Sequence, residues 1–179
     1  MIRDTAAKRY ALAAFEVALQ RGALDRWADD LQLIAAVMGD AGALAFLANT
    51  KMPLAGRYRL LEATLAGIDP LAMNLARLLV AKGRAGLAPQ IAEAYRGLVD
   101  EHRGIAHATV VTAVPLSDAE RQAVEEKLGE MSGKQVIAQL EVEPGIVGGL
   151  VARIGDKVID GSTRGRLLAL RRSLAGQER

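Results

Sequence analysis

The hydrophobic pattern changes period once, at Gly104, and that change constrains the fold more than any motif does. Before it, apolar residues recur three and four apart, as one face of a helix requires. After it, Ile105 to Val114 is rich in β-branched side chains that suit a pleated strand. The pattern reads as five or six helices followed by a β-α-β-β-β-α unit. We therefore expect an α+β chain with a domain boundary near residue 105.

The helical part is built from small side chains. Alanine supplies 33 of the 179 residues, 24 of them before residue 105, so helices there can approach closely with few bulky anchors. A first helix is expected from about Ala6 to Gln20, capped by Asp4 or Thr5. Its apolar positions Ala6, Ala7, Tyr10, Ala11, Ala13, Ala14, Val17 and Ala18 wrap more than one face. Such a helix is either central in its bundle or keeps a stripe for a partner. Helices are expected next over Leu24 to Met38, Gly42 to Thr50 and Leu54 to Leu65. The lone Trp27 reads as a core residue of the first of these. Pro70 suits the first turn of a helix reaching Ala81, since its missing N–H costs nothing there. Leu71, Leu75, Leu78 and Leu79 form the apolar stripe of that helix, with Asn74 and Arg77 on or near its other side. A last helix should run from Pro89 to about His102.

In the second part, Ser117 and Glu120 have the spacing of a capping box, opening a helix from about Asp118 to Met131. Strands are expected over Ile105 to Val114 and Gln135 to Glu143. Glu143 to Leu170 then reads as a strand over residues 146–154, a two-residue turn, a second strand and a helix. Gly155 stands first in the turn, where only glycine enters a primed hairpin without a Cβ clash. Gly148 and Gly149 are poor strand formers and mark a bulge or a close backbone approach. Asp160 and Ser162 are expected to hydrogen-bond in the turn and cap the helix over Arg164 to Leu174.

Chemistry is harder to find. The sequence has no cysteine and two histidines, too few for a transition-metal site, and none is expected. Gly145, Gly148 and Gly149 open a hairpin rather than a helix, so they are no dinucleotide fingerprint. There is no phosphate-binding glycine-lysine loop, and Ser162 lacks the frame of a nucleophile elbow. An enzyme is not expected, nor a cofactor. No apolar run approaches the roughly 20 residues that span a bilayer, and the start lacks the core of a signal peptide, so we expect a cytoplasmic chain.

The net charge is only +2, but the second part is polarised. Residues 118–143 carry 7 acids against 3 bases, and residues 153–179 carry 7 bases against 3 acids. Such patches suit a protein partner better than a polyanion, and the aromatic platforms that single strands stack on are missing. The alternative is a helical adaptor or RNA-associated protein.

Three stretches carry a family resemblance. Val142 to Leu167, with Gly148, Gly149, Gly155, Asp160, Ser162 and Arg166, is similar to the C-terminal signature of the delta subunit of bacterial F-type ATP synthases, the homologue of the mitochondrial oligomycin-sensitivity-conferring protein. Arg9-Tyr10-Ala11-x-Ala13-Ala14-Phe15 and Asn74-Leu75-x-x-Leu78 with Gly83-Arg84 resemble two further motifs of that family, in the right order. The resemblance implies a non-catalytic stator part: a six-helix bundle over residues 1–104 that grips the N-terminal helix of an alpha subunit, and a small mixed α/β domain over 105–179 that holds the end of the b-subunit stalk. It implies a groove between the first helix and the one carrying Asn74, with Tyr10, Ala11, Ala14, Asn74 and Leu78 as contacts and Arg77 and Arg84 at the rim. On that expectation Ala14→Asp abolishes partner binding and leaves the bundle folded. Gly148, Gly149, Gly155, Asp160, Ser162 and Arg166 are the structural or stalk-binding candidates. The implied location is the cytoplasmic face of a bacterial inner membrane, with membrane association only through the complex.

Overall fold

The computed structural model describes residues 2–146, 148–155 and 157–163, with side chains from Thr5 onward. Helices precede a small mixed sheet, an α+β arrangement, and the chain divides into two compact units, Met1–Asp100 and Glu101–Arg179.

The first unit contains α1 (Ile2–Gln20), α2 (Leu24–Gly39), α3 (Ala41–Ala48), α4 (Leu54–Thr64), α5 (Pro70–Ala81), a 3-10 turn over Ala85–Leu87 and the start of α6 (Ala88–His102). Helix α1 begins earlier than its sequence signals, so Asp4 and Thr5 lie inside it and do not cap it. Ala7, Ala11, Ala14 and Ala18 form its buried seam and share one core with Trp27, Leu31, Ile34 and Met38 of α2 and with Ala72, Ala76 and Leu79 of α5. Tyr95 fills the centre of that core, edge-on to Phe15 at 6.3 Å between ring centroids, and its hydroxyl donates to the Leu24 carbonyl at 3.0 Å. Helix α5 starts as its sequence requires, with Asp69 capping the Leu71 N–H and Pro70 in the first turn. Among the described residues no single helix is long and apolar enough to cross a membrane.

The second unit is a sheet of strand order β2-β1-β3-β4 with one helix described. Strand β1 (Ile105–Thr112) pairs parallel with β2 (Gln135–Val142) across α7 (Asp118–Ser132), and antiparallel with β3 (Leu150–Ile154). Strand β4 (Lys157–Asp160) closes the hairpin with β3. Ala108, Val110, Val136, Ala138 and Ala152 make one buried face, against Leu128 of α7. The capping box is complete, with both the Ser117 and the Glu120 side chains bonded to the opposite backbone N–H.

Two strand expectations need correction. Strand β3 starts at Leu150, because Pro144–Ile146 form a 3-10 turn that a proline without an N–H can open but a ladder cannot use. Strand β1 stops at Thr112, whose hydroxyl donates to the Val114 carbonyl at 2.8 Å and turns the chain two residues early. The helix expected over Arg164 to Leu174, and Arg166 with it, lie outside the described residues.

Candidate functional site

Successive residues on a helix are about 100° apart, so α1 carries two adjacent stripes one residue out of step. Ala7, Ala11, Ala14 and Ala18 are the buried one; Ala11 is 0% exposed and Ala14 4%. Ala6, Tyr10, Ala13 and Val17 form the stripe beside it, half-buried except for the exposed Ala13. Ala11 and Ala14 are thereby corrected as contact residues: their methyls face the core and leave a partner no surface. Of the α1 candidates, Tyr10 alone sits at the edge of the bundle. Composition could not separate the stripes, since both are largely apolar; a shift of one residue decides which faces out.

Helix α5 lies beside α1 and antiparallel to it, held by two polar cross-ties. The Arg84 guanidinium, just past the end of α5, donates to the Tyr10 hydroxyl at 2.9 Å and lies 5.9 Å from the ring centroid. Arg21, just past the end of α1, lies 3.6 Å from the Asp69 carboxylate at the head of α5. From Tyr10 to Arg21 is about 16 Å of helix, and α5 spans about 18 Å, so the two ties match in separation. Along α5, Ala72, Ala76 and Leu79 turn inward, and Leu71, Leu75 and Leu78 occupy one flank of that buried seam. Leu78 is 43% exposed, an apolar side chain left open at the surface.

Asn74 is exposed on the back of α5, and Arg77 is on its opposite flank, towards α4. There Arg77 donates to Glu62 at 2.6 Å and to the Asn74 side-chain oxygen at 3.4 Å. The structure thus joins Tyr10 to Arg84 and Asn74 to Arg77 as two separate pairs; Leu78, one turn on from Asn74, borders the second pair on the side away from Arg77. Ala13 and Val17, not among the expected contacts, share the outer stripe of α1 with Tyr10, as their helical spacing implies.

In the second unit the hairpin explains its own glycines. Backbone bonds from Gly161 N–H to the Leu150 carbonyl and from Thr163 N–H to the Gly148 carbonyl, both 2.9 Å, extend the β3–β4 register past its last ladder pair. Gly149 lies between them at φ +80°, and a Cβ there would meet the Gly161 carbonyl oxygen at 2.5 Å. The glycine is required by backbone approaching backbone. A Cβ on Gly148 would meet the Thr163 hydroxyl at 3.1 Å, a milder conflict. Gly155 takes φ +56° in the two-residue turn between Ile154 and Lys157, the left-handed conformation its position demands. The Ser162 N–H donates to Asp160 Oδ1 at 2.9 Å; the hydroxyl and N–H of Ser162 together hold the Asp160 carboxyl below its ordinary range.

Strand β2 is an edge, and α7 guards it. Its odd-numbered residues bond towards β1, so the N–H groups of Val136, Ala138 and Leu140 point outward. Glu125 accepts the Ala138 N–H at 2.9 Å, which holds its carboxyl below the ordinary range; Arg121, at 3.1 Å, steadies the same oxygen.

No group of side chains among the described residues could hold a metal ion. The arrangement offers apolar flanks, cross-ties and a closed hairpin, the equipment of a binding module. The model of the ATP synthase delta (OSCP) subunit family matches residues 6–174. An ATP synthase subunit delta of Dehalococcoides mccartyi is 39% identical over 169 residues, covering 94% of this chain and 93% of that protein. The subunit delta of Thioalkalivibrio sulfidiphilus is 42% identical over 164 residues, with 91% and 92% covered. A chain in the cryo-EM structure of the Toxoplasma gondii mitochondrial ATP synthase hexamer shares the fold at a TM-score of 0.64 and 21% identity, covering 94% of this chain and 97% of that one. The chain belongs to the ATP synthase delta (OSCP) subunit family, whose members are non-catalytic stator components of the F-type ATP synthase.

Proposed function

We propose that the six helices of the first unit, within residues 1–104, receive the N-terminal helix of an alpha subunit in the groove between α1 and α5. The C-terminal α/β domain, residues 105–179, holds the end of the b-subunit stalk. The protein would then tie the catalytic head to the peripheral stalk on the cytoplasmic face of a bacterial inner membrane, reaching the membrane only through the complex. It moves no bond; it resists torque, so that proton-driven rotation is coupled to ATP synthesis.

The pair of cross-ties supports this reading most. They hold two antiparallel helices side by side and leave Tyr10, Ala13 and Val17 on one wall and Leu71, Leu75 and Leu78 on the other. Small residues on α1 make the groove shallow enough for an amphipathic helix to lay its apolar face there. Arg84 is committed to Tyr10 at one end, so its role is to fix the wall as well as to line the rim.

Calorimetry with a synthetic peptide of the cognate alpha-subunit N-terminal helix tests it. Ala13→Asp and Leu78→Asp each place a charge on a surface position and should keep stability within about 0.5–1 kcal/mol. Each should weaken peptide binding by about tenfold or more. Unchanged affinity in both variants would refute the groove.

A further inference from the structure

The geometry points to Asp30 as a positioning residue that sets where α5 stands against α1. Asp30 is on α2 and 6% exposed, and its carboxylate accepts the backbone N–H of Asp69 at 2.8 Å, across 39 residues of sequence. Burying a carboxylate is costly unless it is hydrogen-bonded, and this one is bonded at the head of a helix, where the dipole favours an anion.

The bond falls on the residue where it has most leverage. Asp69 is the N-cap of α5: its own carboxylate accepts the Leu71 N–H at 2.8 Å and faces Arg21 at 3.6 Å. One buried side chain on α2 therefore fixes the residue that both starts α5 and ties it to the end of α1. In its first two turns the buried seam of α5 is Ala72 and Ala76, side chains too short to interlock with ridges on a neighbour, and the longer Leu71, Met73 and Leu75 pack against the core only from its half-buried flanks. The seam itself does little to fix the position of α5 along its axis, and a 2.8 Å hydrogen bond to the cap residue does fix it. Arg84 and Tyr10 hold the other end of α5. The flank carrying Leu71, Leu75 and Leu78 is thus registered against Tyr10, Ala13 and Val17 by polar contacts at both ends.

This inference rests on the α1–α5 groove being the face that takes a partner helix, and the test separates the two. Full-length wild type, Asp30→Asn and Asp30→Leu are compared well below their unfolding temperatures, by calorimetry with the cognate alpha-subunit N-terminal peptide. Exchange of the Asp69 amide is followed by NMR in the same samples. Asparagine keeps an acceptor oxygen, so Asp30→Asn should retain Asp69 protection and bind within about twofold of wild type. Asp30→Leu should lose that protection and bind about tenfold more weakly, the coupling expected when a shared hydrogen-bond network is cut. Should Asp30→Leu fail to fold, Asp30→Ser, whose hydroxyl is too short to reach Asp69, takes its place. A merely structural role would lower the melting temperature and leave the affinity of the folded protein unchanged, which would overturn the assignment. Failure of the wild type itself to bind the peptide would overturn the groove, and the assignment with it.

Discussion

At Gly149 a single methyl group decides whether the hairpin closes, because the atom it would meet is a backbone oxygen that no rotamer change can move aside. Gly149→Ala should destabilise the second unit by about 1–3 kcal/mol, the cost of a non-glycine residue at φ +80° before any clash is added. Denaturant unfolding followed by a probe in that unit measures it; a wild-type midpoint would mean the hairpin opens freely there. For Ala14→Asp the structure reverses the expected outcome. With Ala14 buried in the core, the new carboxylate is desolvated without a partner, and the bundle should lose about 3 kcal/mol or more. The sequence carried the glycine in the hairpin turn plainly, since Gly155 needs its conformation for a local reason. Gly149 needs its lack of a side chain because of Gly161, twelve residues on, and a close approach of that kind is only hinted at by an awkward residue in a strand. Ala13 and Ala14 differ by one helical step, which only packing resolves.

Among elements, α7 and β2 make the most instructive pair. The Ala138 N–H on the outer edge of β2 would be open to another strand, and the Glu125 carboxylate covers it. That bond lowers the Glu125 pKa from its ordinary 4.5, so its contribution is complete above that value and is lost as pH falls through the lower folded value. Amide exchange should find Ala138 as protected as the inward-facing Gln139 at pH 6. Glu125→Ala should expose Ala138 and leave Gln139 unchanged. Equal protection of Ala138 in the variant would show that something other than Glu125 covers the edge. The start of α7 was readable because a capping box lies within four consecutive residues, Ser117 to Glu120. Helix α5 was readable from Pro70 for the same reason. Glu125 covering a strand thirteen residues away leaves no such local trace, nor does the 3-10 turn that delays β3 to Leu150.

For the whole molecule, membership of the delta family makes this chain a stator component, a part that carries load. If the head is held by an apolar helix in the α1–α5 groove, binding of the alpha-subunit peptide should change little between 50 and 500 mM salt. Attachment through phosphate-like charge pairing would instead fall steeply over about that range. Coupling through this subunit is measured with membranes stripped of both the catalytic head and this subunit. Purified head is added back with wild-type protein or with Leu78→Asp, and ATP-driven proton pumping is followed. Wild-type protein should restore head binding and pumping together, and Leu78→Asp should restore neither at matched concentration. Pumping restored equally by the head alone, or by the head with Leu78→Asp, would show that the head is not held through the α1–α5 groove.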